Sequence, residues 1–192
     1  GVVPKLTARQ NVADVVDDPR SAFSEAYRSI RTALQFATDH GVPKSLLITS
    51  TRPGEGKSTT ALTLARHFAQ LGKRVLLIEA DLRNPSLHRT LSMSPNGVGL
   101  SDLLAGSKLV SALTVAAEVY DQIIIDGPPV LGLADAPILS NAADGTLLVV
   151  HAGKTKIKPA LLALSEHPAR AGGGGLLGAV VRSLPPDRPD DR

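Results

Sequence analysis

The sequence predicts an α/β domain, a three-layer α/β/α sandwich around a mostly parallel sheet, from the form of its apolar runs and from what lies between them. Leu46-Leu47-Ile48, Val75-Leu76-Leu77-Ile78, Ile123-Ile124-Ile125 and Leu147-Leu148-Val149-Val150 are short and continuous, and a looser run extends from Leu176 to Val181. Uninterrupted apolar runs of strand length belong to strands covered on both faces by helices. Helical spacing separates them, and in such alternating folds ligands bind outside the carboxyl ends of the strands.

The first of these runs leads into Thr51-Arg52-Pro53-Gly54-Glu55-Gly56-Lys57-Ser58-Thr59. Gly54 and Gly56 let the backbone curl so that successive N–H groups point at a phosphate chain, and the N-terminus of the following helix adds its positive dipole end. Lys57 then reaches the β- and γ-phosphates, and the Ser58 hydroxyl suits magnesium, a hard cation that prefers oxygen ligands. The pattern G-x-x-x-x-G-K-[ST] is met except at its first glycine, where Thr51 stands. Pro53, Gly54, Glu55, Gly56, Lys57, Ser58 and Thr59 are therefore the expected contacts of ATP or ADP, and the fold is expected to be that of a P-loop NTPase.

After the loop, Ala61, Leu64, Ala65, Phe68 and Leu71 recur at three- and four-residue spacing, and Gly72 with Lys73-Arg74 supplies the stop. Two acidic segments follow the next strands: Ile78-Glu79-Ala80-Asp81-Leu82-Arg83 and Ile125-Asp126-Gly127-Pro128-Pro129. An aspartate just past a buried strand beside a phosphate loop is placed to hold magnesium or its water shell, so Asp81 and Asp126 join Ser58 as expected metal ligands. Upstream, Phe23, Ala26, Ile30, Leu34 and Ala37 form an apolar stripe, while Glu25, Arg28 and Arg31 step around the other side of the same helix. Glu25 and Arg28 can pair within that helix for a few tenths of a kcal/mol. Taken alone, these charges fit a solvated face as well as an interface.

Several motifs, in order along the chain, resemble the cytoplasmic kinase domain of bacterial tyrosine kinases, the family that accompanies polysaccharide co-polymerases in capsule or exopolysaccharide export. Gly1-Val2-Val3-Pro4 resembles the linker after the second membrane helix of fused members. Glu25-Ala26-Tyr27-Arg28-Ser29-Ile30-Arg31-Thr32 resembles the E-x-x-R-x-x-R helix through which subunits form rings. The phosphate loop, the Walker A′ segment from Val75 to Pro85, the Walker B segment from Ile123 to Pro129, and Ala143-Asp144-Gly145 before a strand complete the series. The resemblance implies phosphoryl transfer from magnesium-ATP to protein tyrosine, with Lys57, Asp81, Glu79 and Asp126 as catalytic residues and Arg83 at the nucleotide. It also implies self-association through Glu25, Arg28 and Arg31, and a place at the inner face of the plasma membrane beside a co-polymerase or a fused transmembrane segment.

The chain departs from that family at defined positions. Relatives carry D-x-D-x-R where Glu79-x-Asp81-x-Arg83 stands here, and the first aspartate is a candidate base for the tyrosine hydroxyl. Glutamate carries its carboxylate one methylene further, and a misplacement of about 1 Å can cost roughly a hundredfold in rate. The tail from Leu184 to Arg192 holds no tyrosine cluster, so a tyrosine substrate is expected in trans; Tyr27 and Tyr120, the two tyrosines of the chain, are expected to be packing residues. The stretch from Asp81 to Asp126 is short, with Leu113-Thr114-Val115 running almost directly into Ala116 to Tyr120 after Gly99 to Gly106. One strand is expected to be lost or merged there, leaving a smaller sheet or an exposed edge. Val180-Val181-Arg182 stands where relatives often have an asparagine that can contact adenine.

One domain is expected from 192 residues, 43% of them hydrophobic. The absence of cysteine excludes a disulfide framework and thiol chemistry. No run approaches the roughly 20 apolar residues of a membrane span and no signal peptide is visible, so a membrane link is expected from a partner or an upstream segment. A net charge of +3 spread along the chain, with 3% aromatics, gives no footing for nucleic-acid binding. Residues 1–20 read as an N-terminal linker, 21–184 as the kinase or ATPase domain with its oligomerisation helix at 21–40, Gly172 to Gly175 as a flexible loop, and 185–192 as a disordered tail. Two alternatives to a tyrosine-kinase-like ATPase stand beside it. One is a partitioning or cell-division ATPase of the ParA/MinD type, whose loop K-G-G-x-G-K-[ST] is answered here by Arg52 and Pro53. The other is a module in which nucleotide drives assembly without phosphotransfer.

Overall fold

The computed structural model describes residues 1–4, 12–18, 20–91, 108–131, 135–156, 158–159 and 175–182. In chain order the elements are β1 (Val2–Val3), α1 (Val12–Asp17), α2 (Ala22–Gln35), β2 (Ser45–Ser50), α3 (Lys57–Ala69), β3 (Val75–Glu79), α4 (Leu87–Thr90), α5 (Lys108–Val119), β4 (Gln122–Asp126), α6 (Asp135–Ala142), β5 (Gly145–His151) and β6 (Leu176–Arg182). The six strands form one sheet in the order β1-β6-β5-β2-β4-β3, and every pairing is parallel.

Alternation along the central strand builds three layers, because successive side chains of a strand point to opposite faces. Leu46 and Ile48 of β2 join the core formed with Val15, Val16, Phe23, Tyr27, Ile30, Leu64 and Phe68 from α1, α2 and α3. Leu47, between them, joins Leu109, Leu113 and Leu139 from α5 and α6 on the other face. All six residues of β2 are buried, as expected of a strand with neighbours on both sides and helices above and below. This is the α/β sandwich expected of a P-loop NTPase.

Several expectations need correction. Residues 1–20 are more than a linker: Val2–Val3 adds a strand beside β6, and Val3, Val15 and Val16 are buried against the α2–α3 layer. The run Val75 to Ile78 is half-buried at every position rather than enclosed, because β3 is the edge of the described sheet. The buried stripe of α2 is Phe23, Tyr27, Ile30 and Leu34, so Tyr27 takes the place expected of Ala26, which is half-buried, and Ala37 lies exposed beyond the helix. Leu71 is 52% exposed, since α3 ends at Ala69 and Gly72 turns the chain with φ +78°. Leu113 to Val115 lies inside α5 and is not strand-like. Between Asp81 and the start of β4 at Gln122 the described residues hold two helices and no further strand, while Gly99 to Gly106 fall outside the described residues, as do Gly172 to Gly174 and the tail 185–192.

Candidate functional site: a phosphate loop facing paired aspartates

The loop between β2 and α3 is curled by two left-handed glycines, Gly54 (φ +80°) and Gly56 (φ +94°), a conformation that L side chains resist. Its remaining shape comes from Glu55, only 5% exposed. The Glu55 carboxylate accepts the Thr51 N–H (2.8 Å), the Thr51 hydroxyl (2.7 Å) and the Arg52 N–H (3.0 Å), and also the Thr155 hydroxyl from the turn after β5. Thr51, which replaces the usual first glycine, is thus the loop's own anchor to that carboxylate. Glu55 supports the loop from behind rather than lining its cavity.

That cavity, of about 290 Å³, is lined by Pro53, Gly54, Gly56, Lys57, Ser58 and Thr59 together with Asn84, Ser86 and Arg182. Arg83, expected at the nucleotide, has an exposed side chain and is not among these residues. Behind the loop, the Thr60 hydroxyl donates to the Gly56 carbonyl (2.9 Å) and shares a hydrogen bond with the Tyr27 hydroxyl (2.8 Å). Burial raises the Tyr27 phenol above its ordinary pKa, against the downward pull of the Thr60 bond and the positive charge of Arg182. Tyr27 and Tyr120 both pack against cores, Tyr27 fully buried and Tyr120 half-buried against the α5–α6 cluster.

Parallel register brings the carboxylates to the loop. Asp126, the last residue of β4, stands opposite Ile48 of β2 on one side and Glu79 of β3 on the other. The Lys57 ammonium lies 2.7 Å from Asp81 Oδ2 and 3.7 Å from Asp126 Oδ1, and it donates to the Ser58 hydroxyl at 3.3 Å. All three charges are nearly inaccessible: Lys57 is 6%, Asp81 2% and Asp126 0% exposed. Burial pushes the Asp126 carboxyl up to about 6, with Lys57 and the neighbouring Ser58 hydroxyl opposing and Asp81 and Glu79 reinforcing. Neither buried oxygen of Asp126 is in a hydrogen bond of ordinary geometry.

This donor set fits magnesium. Orphaned carboxylate oxygens, a second aspartate and a hydroxyl are hard ligands, and magnesium completes its shell with waters and substrate phosphates instead of an all-protein cage. Among the described residues there is no group of three or more His, Cys, Asp or Glu that could hold a metal ion.

Glu79 is engaged elsewhere. Its Oε1 accepts the Ser86 and Leu87 N–H groups at the start of α4, and Oε2 lies 3.3 Å from His88 Nδ1. On α2, Arg28 pairs with Glu25 at 2.6 Å, with Glu25 66% and Arg28 29% exposed, while an Arg31 Nη1–H reaches back to the His67 carbonyl of α3 at 3.4 Å. Sequence reasoning missed the inward turn of Glu55, the Tyr27–Thr60 link, and Asn84, Ser86 and Arg182 as cavity walls. Arg182 had a signal in its position at the carboxyl end of a parallel strand. The Tyr27–Thr60 and Thr155–Glu55 contacts join residues far apart in sequence.

Residues 46–166 match the family described as the CobQ/CobB/MinD/ParA nucleotide binding domain. The chain is 39% identical over 198 residues to the tyrosine-protein kinase YwqD of Bacillus subtilis (strain 168), covering 85% of this chain and 82% of that protein. It is 30% identical over 211 residues to a putative tyrosine-protein kinase CapB of Staphylococcus aureus, covering 91% and 90%. Among solved structures it is similar to the kinase domain of the Escherichia coli tyrosine kinase ETK, with a TM-score of 0.83, 25% identity, and coverage of 100% of this chain and 92% of that one.

Proposed function

The chain belongs to the bacterial tyrosine kinases of the CobQ/CobB/MinD/ParA nucleotide-binding family, and we propose that it binds magnesium-ATP at the Thr51–Thr59 loop and transfers the γ-phosphoryl group to a tyrosine supplied by another protein. The observation that carries this reading is Lys57, held between Asp81 and Asp126 at the mouth of a glycine-curled loop. Phosphoryl transfer is mostly positioning and charge neutralisation. Lys57 and the loop amides hold the phosphates; Ser58, Asp81 and Asp126 are the residues that would hold magnesium, which supplies positive charge to the β- and γ-phosphate oxygens. The tyrosine oxygen bonds to the γ-phosphorus, the bond to the β–γ bridging oxygen breaks, ADP leaves, and the phenolic proton passes to a carboxylate. Glu79 could take that proton only by giving up its N–H donors at α4.

That engagement of Glu79 favours a second reading at one point: nucleotide binding and slow hydrolysis persist while tyrosine transfer is weak, so nucleotide chiefly drives assembly. In either reading the domain works in capsule or exopolysaccharide polymerisation and export, at the inner face of the plasma membrane. Its partner is a membrane co-polymerase or a fused transmembrane segment. No helix among the described residues is long and apolar enough to cross a membrane.

Lys57→Ala is the direct test, because it removes a phosphate ligand from a protein whose core it does not build. Calorimetry with ADP and magnesium should lose all measurable binding while the circular dichroism melt remains cooperative. Unchanged affinity in the folded variant would remove the phosphate-loop reading. Self-association is tested separately. Arg28→Ala with Arg31→Ala should lower the mass seen by light scattering in the presence of nucleotide and magnesium, leaving ADP affinity within about threefold, since the exposed pair contributes only a few tenths of a kcal/mol within the subunit. A wild-type protein that stays monomeric at high concentration under these conditions would rule out the ring.

A further inference from the structure

One wall of the phosphate-loop cavity belongs to none of the motifs that define it. Arg182, the last residue of β6, extends its side chain over the loop. A Cβ added to Gly56 would lie 2.0 Å from Arg182 Nη1, 2.6 Å from its Cδ and 2.8 Å from its Cζ, so the guanidinium rests on the bare glycine immediately before Lys57. Its Nε is buried and donates to no acceptor. The two cations of the cavity therefore differ. Lys57 is paired with Asp81 and Asp126, whereas Arg182 makes no ion pair among the described residues. Its charge is felt behind the loop, where it acts on the Tyr27 phenol.

We propose that Arg182 is a second cationic ligand for the phosphate chain of the bound nucleoside di- or triphosphate, acting beside Lys57. The assignment rests on the nucleotide-binding reading above. A guanidinium presents a planar fork of donors that matches phosphate oxygens and carries its charge at every working pH. Contact with a phosphate oxygen gives the buried Nε–H the acceptor it lacks. Stacking of the guanidinium on a base would leave that donor unpaired. Arg182 also needs no carboxylate to be displaced before it engages an anion, whereas Lys57 must share its charge with two. Its contribution is accordingly largest when magnesium is removed and the aspartates hold Lys57 most tightly.

The test is calorimetric titration of ADP, GDP and inorganic pyrophosphate into the wild type, Arg182→Ala, Arg182→Met and Lys57→Ala, with magnesium and again with EDTA. A charge-assisted contact of this class corresponds to a loss of roughly 10- to 100-fold in affinity. Both Arg182 variants should show that loss for all three ligands by a similar factor, and a larger factor in EDTA. Arg182→Met keeps the aliphatic stem without the donors, so wild-type binding by this variant would make packing the operative role and overturn the proposal. A loss confined to ADP, with pyrophosphate unaffected, would assign Arg182 to the base and overturn it as well. Loss in Lys57→Ala with none in either Arg182 variant would overturn this proposal alone. Absence of loss in all three variants would overturn the placing of nucleotide at the Thr51–Thr59 loop with it.

Discussion

Two glutamates flank the site, and both use the carboxylate to collect backbone N–H groups. Glu55, in the β2–α3 loop, takes those of Thr51 and Arg52 along with two hydroxyls, and it is almost fully buried. Glu79, at the end of β3, takes those of Ser86 and Leu87, and its side chain is 20% exposed. The same chemistry has opposite consequences. On the phosphate side the bonds build the loop and leave Lys57 and Ser58 on the cavity. On the β3 side they turn a candidate base toward a four-residue helix. In the proposed function, phosphate binding rests on the better-buried half of the site, and tyrosine transfer on the half whose carboxylate already has partners.

Glu55→Ala breaks the comparison most severely. It strands four donors in a buried loop, each costing about 1–3 kcal/mol when left unpaired, with relaxation and water recovering part. Chemical denaturation should show a loss of roughly 2–4 kcal/mol, and ADP affinity should fall at least about tenfold, since 1.4 kcal/mol of loop preorganisation is worth that factor. Glu79→Ala, at a half-exposed helix start, should cost only about 1 kcal/mol and leave ADP affinity nearly unchanged. Equal losses in the two variants would erase the distinction between the two sides.

A smaller effect comes from Asp126, the carboxylate between them. Its carboxyl is raised from 3.8 to about 6, chiefly by burial, so the folded state favours the protonated form. The stability linked to this group is fully present below its unfolded pKa and is lost as pH rises through about 6. Asp126→Asn should therefore stabilise the nucleotide-free protein by at most about 3 kcal/mol at pH 7.5, and by about 1.4 kcal/mol less at pH 5, one unit below the folded value. The difference between variant and wild-type melting curves isolates this group from others that titrate. A gain independent of pH would show that Asp126 is ionised without penalty.

Much of this was legible in the sequence, for a physical reason. Glycines that must adopt positive φ, a lysine and a serine at fixed offsets, and aspartates one and three residues beyond apolar runs are local signals. They need only the strands to be parallel for Lys57, Asp81 and Asp126 to meet. Contacts between distant segments were not legible. Thr155 reaching Glu55, Tyr27 meeting Thr60, Arg182 lying on Gly56, and Val3 and Val15 entering the core all depend on how β5, β6, α2 and the first residues lie against the loop. The stripe of α2 was misread by one position because tyrosine at a helical spacing counts as apolar when its hydroxyl finds a buried partner. The edge position of β3 was hidden because an apolar run does not state how many neighbours it has.

Incubating the protein with magnesium-ATP and scoring both released phosphate and phosphopeptides separates a working phosphate half from self-directed tyrosine transfer. The sequence holds two tyrosines. Tyr27 is wholly buried and bonded to Thr60, and Tyr120 is packed beside α5 and α6. The expected result is slow release of phosphate that Lys57→Ala abolishes, with far less than one phosphate per chain on either tyrosine. Stoichiometric phosphate on Tyr27 or Tyr120 would contradict the account, showing that a packed tyrosine can leave its site and that Glu79 serves as a competent base despite its donors.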